Sequence, residues 1–330
     1  MVESIRHAAD IVVNSKHDSV FSAWFSLYQQ QDCWARTEEY PPLLAHLGTA
    51  FVERALIDGF CRGAGLSFVD AVRSNALGIE LGRIHPELAG TDPSDWLPSA
   101  GQSIIARHTI GLGDPLRRSD IPEDERISDG LPHALSDAAV QYGLHHFKIK
   151  ICGNLEVDIP RLRAVAAVIS EASPGFRYTL DGNEQYRDIT TFRHHWETYR
   201  ADPDLAVLFE DDRLLFVEQP LHRAIALEER VRDELADWAG APPMIIDESD
   251  GELDCLRRAI ALGYRGTSHK NCKGVIKGIA NRCLIEYYRR HHPDEGPWLM
   301  SGEDLANVGP VALLNDLAVM SVLGVEDVER

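Results

Sequence analysis

The chain has 330 residues, of which 44% are hydrophobic and 26% charged, the balance of an ordinary folded protein with room for about two domains. Asp and Glu number 52 against 33 Lys and Arg, a formal charge of −19, which opposes phosphate backbones and anionic bilayers and argues against nucleic-acid or membrane partners. No run approaches the ~18 apolar residues of a membrane span, the opening MVESIRHAADIVVNSKHD lacks a signal-peptide layout, and six cysteines without a CxxC pair read as reduced thiols of a cytoplasmic protein.

In chain order, residues 1–103 form a first, mainly helical part. Leu43, Leu44, Leu47, Phe51, Val52, Ala55, Leu56 and Phe60 recur at helical spacing and predict one amphipathic helix with that stripe buried. Trp24 and Trp34 read as packing residues. The Pro-containing run HPELAGTDPSDWLPSAG ends this part. A strand at about Ile104–Gly111 and a long polar loop, GLGDPLRRSDIPEDERISDGLP, follow.

After Pro132, short apolar runs alternate with helical segments: HHFKIKI, a helix, FRYTLD, a helix, RLLFVEQ, a helix, PMIIDES, a helix, YRGTSHK, a helix, WLMSG and a last helix over Pro310–Leu323. Such alternation predicts βαβ units and a parallel sheet, and the lack of a Gly-rich phosphate loop favours a closed α/β barrel. The expected bounds are 1–103 for the N-terminal domain, 104–323 for the barrel and 324–330 for a C-terminal tail.

Ionisable residues interrupt the apolar strands at their C-terminal ends. Lys148 and Lys150 share one face of FKIKI; Asp181, Glu218 and Asp247 end the next three strands, and Lys270 follows the one after. The gaps from Lys150 onward are 31, 37, 29 and 23 residues, each about one strand plus one helix. In a parallel barrel those ends share one rim. Three carboxylates brought together repel strongly and call for a cation, and an all-oxygen ligand set suits a hard ion, Mg²⁺ first.

These motifs resemble the enolase superfamily, and within it the muconate-lactonizing-enzyme-like subgroup of the mandelate racemase/muconate lactonizing enzyme family. Lys148–Lys150 is similar to its KxK motif, Asp181–Glu184 (DGNE) and Val217–Pro220 (VEQP) to its metal motifs, Ile245–Ser249 (IIDES) to its DE motif, and Ser268–Gly274 (SHKNCKG) to the strand with the opposing lysine. The resemblance implies a modified (β/α)7β TIM-type barrel with an N-terminal α+β capping domain, here seemingly truncated. It implies Mg²⁺ on Asp181, Glu218 and Asp247, with Glu248 as the competitor for the third position. Lys150 and Lys270 would be acid/base lysines on opposite faces of a small carboxylate substrate, with Lys148 beside Lys150 to lower its pKa. Asn183 would stand behind the ligands or face substrate. Glu303 and Asp304 read equally as substrate contacts or as charges at a helix N-terminus.

The implied chemistry is removal of a proton α to a carboxylate through an enediolate. A pair of opposed lysines suits a racemase or epimerase; one lysine suffices for a cycloisomerase or a syn-dehydratase. A barrel that binds a metal-chelating carboxylate without turnover is the reading from another class, and a homo-oligomer is compatible with all of these. His145 and His146 read as loop residues, His269 should face away from the rim, and Cys152 and Cys272 read as small fillers.

Overall fold

A computed structural model describes residues 1–210, 212–303 and 309–330. In chain order its elements are α1 (Val2–Val13), α2 (Val20–Thr37), α3 (Pro42–Ala64), α4 (Phe68–Arg73), α5 (Pro93–Trp96), β1 (Ile105–Ile110), α6 (Leu135–Tyr142), β2 (His146–Lys150), α7 (Leu155–Ala172) and β3 (Arg177–Asp181). There follow α8 (Ile189–Ala201), β4 (Leu214–Glu218), α9 (Arg223–Ala226), α10 (Arg230–Ala236), β5 (Met244–Ile246), α11 (Cys255–Leu262), β6 (Gly266–His269), α12 (Val275–His291), β7 (Leu299–Glu303), α13 (Pro310–Leu323) and β8 (Asp327–Glu329). The strands follow one another in the order β1 to β8 and close into a parallel barrel, so the architecture is (β/α)7β with an N-terminal helical region. Among the described residues no strand precedes β1.

The chain divides into two compact units, residues 1–104 with 250–260 and 265–328, and residues 105–249 with 261–264 and 329–330. In the first unit the helix starts and stops follow capping chemistry. The Ser19 hydroxyl accepts the Ser22 N–H at the head of α2, and the Ser22 hydroxyl accepts the Ser19 N–H in return. The third helix opens on Pro42 and stops at Gly65, whose φ of 67° suits glycine. Phe21, Trp24, Leu77, Leu81 and Leu88 then share one apolar cluster with Leu256, Ile276, Leu284, Val322 and Leu323.

The buried stripe of α3 is not the one its apolar spacing predicts. Ala45, Gly48, Thr49, Glu53, Ile57 and Cys61 face inward, while Phe51 is 46% exposed. Close approach decides this. A Cβ on Gly48 would fall 2.3 Å from the Ser4 carbonyl oxygen of α1, so the small residues form the contact face. Glu53 reaches the start of α12, where it accepts the Val275 N–H.

In the second unit Phe147, Ile149, Tyr178, Leu180, Val217 and Met244 are buried on one face of the strands, alternating with the polar residues of the other face. His146 opens β2, buried and in register with Arg107 and Arg177, which corrects its reading as a loop residue. The stretch 324–330 is not a tail: it holds β8, with Val328 buried. Hydrogen bonds from the Thr109 N–H to the Arg330 carbonyl (3.1 Å) and from the Arg330 N–H to the Arg107 carbonyl (2.9 Å) tie its end to β1.

Candidate active site

Strand register sets out the site. Lys150, Asp181 and Glu218 fall in one row across β2, β3 and β4, and Glu218 pairs in turn with Ile245 of β5. Lys148 lies two residues deeper, level with Thr179. Its aliphatic stem therefore runs up the face of the sheet, and its ammonium meets Asp181 at 2.9 Å and Glu218 at 3.0 Å. A third carboxylate, Glu329 of β8, stands 2.8 Å from the same nitrogen. Asp247, the residue after β5, is buried, and one of its carboxylate oxygens lies within 4.8 Å of one from Glu218.

The turns after the strands hold these carboxylates in place. Asn183, at φ 40°, donates its backbone N–H to one oxygen of Asp181 (2.9 Å) and its side-chain amide to the other (3.0 Å). Gly182 runs so close to the neighbouring turn that a Cβ there would sit 2.5 Å from the Cα of Pro220, so glycine is required in DGNE. Glu184 accepts both the side chain and the backbone N–H of Arg223 at 2.6–2.8 Å, and this pairing holds its carboxyl below the usual range. Gln219, at φ 34°, accepts the N–H groups of Asp247 (2.7 Å) and Ser249 (3.2 Å), and its amide nitrogen donates to the Leu221 carbonyl and the Ser249 hydroxyl. Its buried side chain thereby fixes the backbone that carries Asp247. The VEQP motif alone assigns Gln219 no role, because a side chain folded back on the following strand leaves no mark in the sequence.

The other expected residues are placed as follows. Lys150 is half-buried at the end of β2 and has no ion pair among the described residues. Glu248 is half-buried beside Asp247. In the first unit Lys270 follows β6, and its ammonium lies 2.5 Å from a carboxylate oxygen of Glu303, the last residue of β7. Asp304 lies outside the described residues. His269 faces away from Lys270 as expected: its ring packs on Gly278 of α12 and pairs with Asn271 (2.9 Å), and burial lowers its pKa to about 4. Burial likewise raises the Cys152 thiol, which suits a filler and not a nucleophile.

Chemically, the second unit brings the carboxylates of Asp181, Glu218 and Glu329 to the Lys148 ammonium, with Asp247 close to Glu218. These acidic donors are oxygens throughout, so the residues fit a hard divalent cation. No helix among the described residues is long and apolar enough to cross a membrane.

No family model matches the chain, and no curated protein matches it. Solved structures match in fold. A mandelate racemase/muconate lactonizing protein from Herpetosiphon aurantiacus aligns with a TM-score of 0.61 at 16% identity, over 99% of this chain and 74% of that one. A dipeptide epimerase from Enterococcus faecalis aligns at 0.60 and 13%, over 99% and 74%. An enolase from an alpha proteobacterium, solved with bound Mg, aligns at 0.60 and 15%, over 100% and 72%. At these identities the likeness is one of fold, and this chain has the capped (β/α)7β barrel fold of those proteins.

Proposed function

We propose that the protein is a divalent-cation-dependent enzyme that removes a proton α to a substrate carboxylate, with racemisation or epimerisation of a small-molecule acid as its reaction. The observation that carries this reading is the set of carboxylates at the ends of three successive strands, Asp181, Glu218 and Asp247, with Lys150 in the same row. Asp181, Glu218 and Asp247 would hold the cation, and Mg²⁺ is the ion that an all-carboxylate set takes most readily. The cation would supply charge stabilisation for the enediolate formed when the proton leaves.

Each protein group then has a separate task. Lys150, at the rim and without an ion pair among the described residues, takes the proton. Lys270 would deliver one; its ammonium lies 2.5 Å from a carboxylate oxygen of Glu303. Asn183 and Gln219 hold Asp181 and Asp247 in their orientations. Within its own unit α3 meets the start of α12 through Glu53 and Val275.

The Lys270–Glu303 pair also supports a second reading, in which Lys150 is the sole base and the reaction is a cycloisomerisation or a syn-elimination. Incubation with carboxylate libraries in D₂O and Mg²⁺ tests both. The two-base reading expects α-deuterium in product, with Lys150→Ala and Lys270→Ala each lowering turnover by ~10²–10⁴ and each still exchanging the α-proton of one, opposite, enantiomer. Turnover unchanged by Lys270→Ala moves the one-base reading to first place. Absence of exchange with any acid, at full Mg²⁺ occupancy, would leave a binding barrel.

A further inference from the structure

We propose that Glu329 is a positioning residue that sets where the Lys148 ammonium stands, and through it how tightly Asp181 and Glu218 hold a divalent cation. The inference rests on the metal reading above and assigns a role to a residue which that reading does not use.

A lysine ammonium has three N–H donors on a flexible four-carbon stem. Three carboxylates from three strands meet the Lys148 ammonium: Asp181 at 2.9 Å, Glu218 at 3.0 Å and Glu329 at 2.8 Å. Two of these carboxylates, Asp181 and Glu218, are ones that the proposed cation would use. Lys148 is therefore a competitor for the same negative charge, tethered by its own backbone and 3% exposed. Glu329 is the one partner of the three outside the proposed ligand set. Its position is fixed independently of Lys148. One carboxylate oxygen accepts the Thr109 hydroxyl at 2.6 Å, and the next residue, Arg330, exchanges backbone hydrogen bonds with Thr109 and Arg107 of β1. The other oxygen is the one that faces Lys148. Glu329 thus draws the ammonium toward β8, where its charge is shared three ways. Without Glu329 the ammonium rests closer to Asp181 and Glu218, and a cation binds there less tightly.

The test is a double-mutant cycle read by Mg²⁺ titration calorimetry on the full chain at fixed ionic strength. Glu329→Gln keeps an acceptor for Thr109 and removes the charge; its Kd for Mg²⁺ should rise roughly tenfold or more, the scale of losing a group that orients metal ligands. Lys148→Met removes the competitor, and in that background Glu329→Gln should change the Kd by less than about twofold. Thr109→Val, which loosens the anchor and leaves both charges, should weaken Mg²⁺ binding in the same direction by a smaller factor and serves if Glu329→Gln does not fold. Wild-type affinity in folded Glu329→Gln, or an undiminished loss in the Lys148→Met background, overturns the proposal. Wild-type protein that takes up no Mg²⁺ overturns the metal reading itself, a result distinct from both.

Discussion

Glu53 gives the first unit a pH dependence of unusual sign. It is fully buried in α3, and its carboxylate accepts backbone N–H groups of Val275 and Ile276 at the start of α12. Helix α12 has no side-chain cap of its own, since Gly274 occupies that position, so Glu53 serves as a cap supplied from another helix. Burial outweighs these hydrogen bonds and raises its pKa to about 8. The folded chain then keeps a proton that the unfolded chain has lost above pH ~4.3, and stability falls by about 1.4 kcal/mol per pH unit until the folded pKa is passed. Between pH 5 and 8 this amounts to a few kcal/mol. His46, His85 and His269 act in the opposite direction: burial lowers them to about 3, 4 and 4. Their contribution is complete above pH ~6.5 and is lost as the pH falls. The stability of the wild-type chain should therefore peak near pH 6–7. In Glu53→Gln the acid limb should remain while the fall toward pH 8 flattens. Urea unfolding of the full chain at half-unit steps from pH 4.5 to 8.5 measures this. The slope is the readout, so an offset common to all pH values does not bear on it. An alkaline slope in Glu53→Gln equal to that of wild type would refute the reasoning.

Two further outcomes follow from the turns that carry the site. Gln219→Ala removes the acceptor of the Asp247 and Ser249 N–H groups and should weaken Mg²⁺ binding by roughly 10–100-fold with the fold retained, read by calorimetry alongside circular dichroism. Gly182→Ala places a methyl 2.5 Å from the Pro220 backbone and should cost ~1–3 kcal/mol in urea unfolding; a variant as stable as wild type would mean that the two turns separate without strain.

The strand ends were legible in the sequence because a βα unit converts spacing along the chain into position around a barrel. Asp181, Glu218 and Asp247 could be named from intervals of 37 and 29 residues and from the apolar runs before them. Features resting on close approach or on distant partners were not legible. The buried face of α3 is chosen by Gly48 against Ser4, a contact between helices that helical periodicity does not encode. Strand β8 spans Asp327–Glu329, too short for alternation to reveal, so Glu329 was read as part of a tail. Gln219 acts through a side chain folded back on the following strand, and nothing in the order of residues distinguishes that from a solvated glutamine.

Register also accounts for the different fates of the two lysines of KIK. They share a face, which the alternation of β2 makes certain, and from that the sequence argument gave Lys148 an influence on its neighbour's proton. Depth separates them. Lys148 starts level with Thr179, beneath the carboxylate row, and its ammonium ends among Asp181, Glu218 and Glu329. Lys150 starts level with Asp181 and is half-buried at the rim. On the proposed reading the same residue type two positions apart would do two jobs, the deeper lysine holding the carboxylates together and the upper one meeting the proton to be moved. A change of one layer in register would exchange those jobs, which is why the pairing of β2 with β3 carries as much of the proposed chemistry as the lysines do.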